Sequence, residues 1–158
     1  MLFMRTPPRM DSGSIRLEEP YGGEDLMQLG FSIGHISLGY GVVLPHYGTI
    51  VVNGENRVGN YAVIHTSTCV AGKKKIGDYL YLSTGSQITG DITLGNGSSI
   101  ATHSLVDKSS GDHVLLVGSP AEVKRTKYPL WVERDGETFL NRVKKVEQNQ
   151  SRYHYIKD

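Results

Sequence analysis

The chain has 158 residues, the size of one domain, with 38% hydrophobic residues, 19 glycines and a formal net charge of +1. That balance gives no electrostatic footprint for nucleic acid or an anionic membrane, and no run of about 20 apolar residues suggests a membrane span. The lone Cys69 cannot form an internal disulfide, and MLFMRTPPRM lacks the apolar stretch of a signal peptide, so a cytoplasmic location is expected.

Residues 1–29 read as an irregular arm. Pro7, Pro8, Gly13, Pro20, Gly22 and Gly23 interrupt any period, although a short helix fits between Leu17 and Leu29. The arm is expected to lie against the first coil of a repetitive second segment, residues 30–117. There Leu38, Leu44 and Ile50 stand six apart, and from Val58 the same spacing runs through Ile64, Val70, Ile76, Leu82, Ile88, Leu94, Ile100 and Val106 without a miss. The two runs are out of frame by two residues, and the turn-rich stretch 53–56 is the expected place of the slip.

A period of six is neither helical nor alternating; it is a signature of the parallel β-helix. Each unit makes one flat face and one corner, so three units close a triangular coil with one aliphatic side chain per face pointing inward. Small residues suit the crowded corners, and Gly59, Ala71, Gly77, Ser83, Gly95 and Ala101 directly follow the aliphatic positions. Coils stack about 4.8 Å apart through parallel ladders. An antiparallel sandwich would give turn signals every 8–12 residues or so and no strict register. Leu38 to Val106 makes twelve faces, or about four coils.

Residues 107–117 leave the register. The last segment, 118–158, opens on a tight Gly118-Ser119-Pro120-Ala121 loop, and its residues Glu137 to Gln150 carry Phe139, Leu140, Val143 and Val146 at helical spacing. One amphipathic helix is expected there, packed across the end or side of the prism or against a neighbouring subunit.

The six-residue register, the stretch Leu44-Pro45-His46-Tyr47-Gly48-Thr49-Ile50-Val51-Val52, the later Ile64-His65 and the Gly118-Ser119-Pro120-Ala121 loop together resemble the hexapeptide-repeat acyltransferases. The resemblance is to the branch of serine acetyltransferase-like enzymes and their sugar O-acetyltransferase relatives, and it covers residues 31 to 125. It implies a left-handed parallel β-helix, an exception to the right-handed crossover rule. It also implies a homotrimer with sites between neighbouring prisms, and acetyl-CoA as the acyl donor. The matching histidine in the family is the general base, which assigns that role to His46; an imidazole suits it because its pKa lies near working pH. His65, one coil on, is a candidate for the acceptor pocket, or a surface histidine packed on a neighbour. Gly72, Thr84 and Thr102, each two after an inward aliphatic, are candidates to line the coenzyme's pantetheine arm, or ordinary corner residues. Gly118 would close over that arm, and Lys124 and Arg125 would meet its phosphates. Lys73-Lys74-Lys75 is a second cationic candidate, or a solvated loop. His103 and His113 read as structural or peripheral, and Cys69 as a packed thiol. No metal is expected, since His35, His46 and His65 lie eleven and nineteen residues apart.

The departures from the family pattern concern the acceptor. The aspartate that orients the base in serine acetyltransferases falls on Phe31 by an ungapped count. Pro45 stands where those enzymes carry an aspartate, and Gly72-Lys73 where they carry Arg-His. A hydroxyl on a sugar or polysaccharide precursor therefore becomes the expected acceptor. Serine O-acetylation and a non-catalytic trimeric scaffold remain the alternatives.

Overall fold

The computed structural model describes residues 28–34 and 37–152, together with three two-residue strands of the arm, Leu2–Phe3, Met10–Asp11 and Ser14–Ile15. His35 lies outside the described residues, as do the side chains beyond residue 148. From Phe31 the backbone winds a parallel β-solenoid with three flat faces. The first face stacks Phe31–Ile33, Ile50–Val52, Thr68–Val70, Gln87–Ile88 and Leu105–Val106. The second stacks Arg57–Val58, Lys75–Ile76 and Thr93–Leu94, with single bridges from Leu38 above and Ser110 below. The third stacks Val43–Leu44, Val63–Ile64, Tyr81–Leu82, Ser99–Ile100 and Leu115–Gly118. The solenoid has about five turns, because Phe31 opens the first face before Leu38 and the chain adds Ser110 and Leu116 after Val106.

The nine aliphatic residues from Val58 to Val106 all point into the prism, each 4% exposed or less. The residues four positions after the first eight of them are buried too: Ala62, Thr68, Lys74, Leu80, Ser86, Ile92, Ser98 and Ser104. They fill the inside of the corners. The corners between the second and third faces are tied by side chains. Asn60 Oδ1 accepts from the Tyr40 N–H at 3.1 Å, Asp78 Oδ1 from Asn60, Asn96 Oδ1 from Asp78, and Asp112 Oδ1 from Asn96 at 2.7 Å. Gly77 lets the coils close at this column, because a Cβ there would stand 2.7 Å from the Asn96 nitrogen.

The frame slip lies elsewhere than expected. Leu44 precedes its stacking partner Ile64 by 20 residues, but Val52 precedes Val70 by 18, so the two extra residues fall between Leu44 and Val52. Val52, rather than Ile50, is the inward partner of Val70, and residues 53–56 are an ordinary corner. The insertion therefore lengthens the corner that carries His46.

Both ends of the third face are closed by antiparallel strands, Leu2–Phe3 on Val43–Leu44 and Ala121–Arg125 on Leu115–Gly118. Two helices come next in the chain, α1 (Trp131–Arg134) and α2 (Glu137–Arg152). They lie along the side of the prism. Trp131, Val132 and Val143 form a second core with the outward residues Val43, Tyr61 and Val63, and Phe139, Leu140, Val146, Tyr79 and Tyr81 pack around it. The amphipathic helix thus covers the outer side of the third face.

Candidate active site

His46 projects from the lengthened corner between the third and first faces. His46 and Tyr47 are exposed, Tyr47 to 80%. The corner sits on the one below it through the Ser67 N–H, which donates to the Thr49 carbonyl at 2.6 Å, and is held from above by the Gly48 N–H donating to Leu29 O at 2.9 Å. Gly48 has φ +134, a conformation that side chains disfavour, and a Cβ there would press on Thr66 at 3.3 Å. Local sequence and geometry agree: two extra residues and one glycine push a histidine out from the edge.

His65 lies one coil down, its ring centroid 6.3 Å from that of His46. Its Nε2 and the Tyr81 hydroxyl are 3.0 Å apart, and Thr68 Oγ1 donates to its carbonyl at 2.8 Å. Burial lowers the pKa of His65, the nearby His46 lowers it further, and Asp135 opposes them. Burial raises that of Tyr81, with Asp135 adding and Arg134 opposing. The pair is therefore a neutral imidazole against a protonated phenol at neutral pH. The consequence for stability has a definite sign. A histidine that is harder to protonate when folded takes up its proton preferentially in the unfolded chain, so stability is full above the unfolded value of about 6.5 and is lost as pH falls below it. NMR titration is expected to show His65 titrating below that value, and Tyr81→Phe to change the His65 profile. A His65 that titrates at or above the free value would refute this environment.

Among the described residues no carboxylate pairs with His46. Phe31, the position that an ungapped count gives for the orienting aspartate, is a core residue of the first face, 5% exposed and paired with Ile50. Thr84 and Thr102 stack on the same edge, one and two coils below Thr66. The Gly85 N–H donates to Thr66 O and the His103 N–H to Thr84 O. His103 shares this edge, with its ring against Gly85. The edge ends at the hairpin, where the Gly118 N–H donates to Ser104 Oγ at 3.0 Å. Lys124 is exposed on the hairpin's second strand.

Gly72 is not on this edge. A prism edge repeats every eighteen residues, and Gly72 stacks with Gly54 and Gly90 on the corner after the first face. Lys74 does not offer a cation to solvent either. It is 3% exposed, and its Nζ donates to Gly90 O at 2.6 Å, with burial lowering its pKa. Only Lys73 and Lys75 of that triplet face solvent. His113 sits beside Gly97 on the corner before the third face, and Cys69 is half-buried on the outer side of the first face. Among the described residues no three His, Cys, Asp or Glu gather as metal ligands, and no helix is long and apolar enough to cross a membrane. Sequence reasoning missed Tyr81, Arg134 and Asp135. An eighteen-residue map would have placed Tyr81 beneath Val63, but nothing in the register marks Arg134.

No family model matches the sequence, and neither does any curated protein. Solved structures do match. The serine acetyltransferase of Neisseria gonorrhoeae, in complex with serine, superposes with a TM-score of 0.51 at 26% identity over 56% of this chain and 39% of that one. A second structure of that enzyme gives 0.54 at 24% identity, over 58% and 39% of the two chains. By its fold the chain is similar to the hexapeptide-repeat acyltransferases. Its solenoid is accordingly the left-handed parallel β-helix. This hexapeptide chain spans about two fifths of the length of the serine acetyltransferase. AntD, an N-acyltransferase from Bacillus cereus solved with dTDP-4-amino-4,6-dideoxyglucose and coenzyme A, shares the fold with a TM-score of 0.50 at 18% identity, over 77% of the hexapeptide chain and 97% of its own.

Proposed function

We propose that the protein is an acetyl-CoA-dependent O-acetyltransferase with His46 as general base and a sugar or similar hydroxyl compound as acceptor. The observation that carries this reading is the edge itself. The lengthened corner lifts His46 clear of the prism above a fixed, neutral His65, and the exposed Thr84 and Thr102 lead from there to the Gly118 hairpin. In the reaction, His46 takes the hydroxyl proton as the acceptor oxygen bonds to the thioester carbonyl carbon. The tetrahedral intermediate collapses, the C–S bond breaks, and the imidazolium returns the proton to the leaving thiolate. The products are the O-acetyl ester and free coenzyme A, and no acyl-enzyme is needed. His65, with Tyr81 behind it, forms the acceptor side of the pocket.

The edge fits the coenzyme. Thr84 and Thr102 leave the corner shallow for a pantetheine arm, Gly118 lies where the arm would end, and Lys124 offers an unburied cation for its phosphates. The proposed assembly is a homotrimer with sites between prisms; Gly72, on another edge of the prism, would enter this groove only from a neighbouring subunit. AntD holds coenzyme A on this fold, which supports the assignment. Acetyl-CoA use suits a cytoplasmic enzyme. Serine is the second acceptor reading, favoured by the 26% identity to an enzyme solved with serine. Release of coenzyme A thiol, measured with serine and with sugars side by side, separates the two. Acceptor-dependent release supports transferase activity, and its absence with every hydroxyl acceptor would leave the scaffold alternative.

A further inference from the structure

The C-terminal segment brings to this edge a cation for which the proposed reaction has no use. Arg134, the last residue of α1, stands between two aromatic rings, its Cζ 5.0 Å from the ring centre of Tyr81 and 5.0 Å from that of Tyr128. Stacking fixes the plane of a guanidinium and leaves its rim for in-plane hydrogen bonds. That rim is poorly used. Nη1 donates to the Tyr128 hydroxyl at 3.4 Å and Nη2 to the Ser99 hydroxyl at 3.5 Å, both past the usual N–H···O range. An arginine has five N–H donors, and no described carboxylate forms an ion pair with this one. Asp135, the next residue, is exposed, so this wall carries both signs, but only the cation is clamped. Tyr81 connects the clamp to the reaction centre: one side of it meets Arg134, and its hydroxyl meets His65.

We infer that Arg134 recognises an oxyanion, a carboxylate or phosphate, carried by the acceptor whose hydroxyl is presented to His46. A planar guanidinium matches either group by two parallel hydrogen bonds, and the two rings hold it in place before substrate arrives. The inference rests on the acyl-transfer reading and narrows its acceptor to an acidic one. The competing view is that Arg134 only fastens α1 to the third face.

Calorimetry on the full chain separates the two. Coenzyme A is titrated first, then glucuronate, glucose 6-phosphate and glucose as probes. The expected result is that at least one anion binds tenfold or more tighter than glucose, and that R134Q brings it to the level of glucose while coenzyme affinity is unchanged. Whichever anion is preferred identifies the oxyanion. R134M, which keeps bulk between the rings, is measured in parallel so that a folding defect in R134Q does not decide the matter. Anions that bind no better than glucose, or a preference that survives both substitutions, would overturn the inference. So would substitutions that weaken coenzyme A but not dephospho-coenzyme A, which would assign Arg134 to the coenzyme. Failure of the first titration would count against the acyl-transfer reading alone, since the anion preference is scored with or without coenzyme.

Discussion

Replacing His46 by alanine is expected to lower kcat/KM for acetyl transfer by about 10²–10⁴-fold, the usual contribution of a positioned acid–base group. Folding should be nearly untouched. The side chain is exposed and its removal opens no cavity, so the change in stability belongs to the surface class, within about 0.5 kcal/mol. Coenzyme affinity should also persist, because the groove below His46 is lined by other residues. The measurement is initial-rate thiol release, paired with a melting curve. A His46→Ala protein that transfers acetyl groups at the wild-type rate would end the mechanism. His65→Ala is expected to act mainly through acceptor KM, since His65 is held against Tyr81 rather than aimed outward as a base.

The second large effect is structural and falls on the C-terminal segment. Trp131 is 2% exposed, its Nε1 donates to the Tyr61 carbonyl at 2.8 Å, and its ring meets Phe139 edge-on at 5.2 Å. Trp131→Ala removes the centre of the second core, at a cost of about 3–5 kcal/mol for a buried large aromatic. The prism core of Ile64, Leu82, Ile100 and their stacking partners is a separate cluster and does not depend on Trp131. Helical circular dichroism is therefore expected to melt at lower temperature than the β signal in this variant. Trp131→Phe keeps an aromatic ring in the site but loses the hydrogen bond and part of the indole, leaving the Tyr61 carbonyl without this donor, so it should cost about 1–3 kcal/mol. A single transition for both signals in Trp131→Ala would show that helices and prism unfold as one unit. If Arg134 serves the acceptor site, the released α1 also takes its preference for anions with it.

The solenoid was legible because its physics repeats. One inward aliphatic every six residues is required by a closed triangular coil, so each inward aliphatic from Val58 to Val106 announced itself. The slip was legible in size but not in place. Ile50 and Val52 are both apolar and both buried, so hydrophobicity alone cannot say which faces Val70; only the ladder pairing does. Gly72 and Thr84 looked equivalent because both follow an inward aliphatic by two, yet twelve residues is two thirds of a coil, which puts them on different edges. Lys74 looked like a solvated charge, and its amine instead satisfies the Gly90 carbonyl inside a corner. The Tyr81–Arg134 contact joins residues 53 apart in sequence, from the third face to α1, and no periodicity encodes it.

The most direct test of the account is a calorimetric titration of coenzyme A into the full chain, with its mass measured by light scattering. Micromolar binding, one coenzyme per subunit of a trimer and equally tight in His46→Ala, is the result expected. No binding at millimolar coenzyme would contradict it and leave the projecting His46 without a reaction to serve.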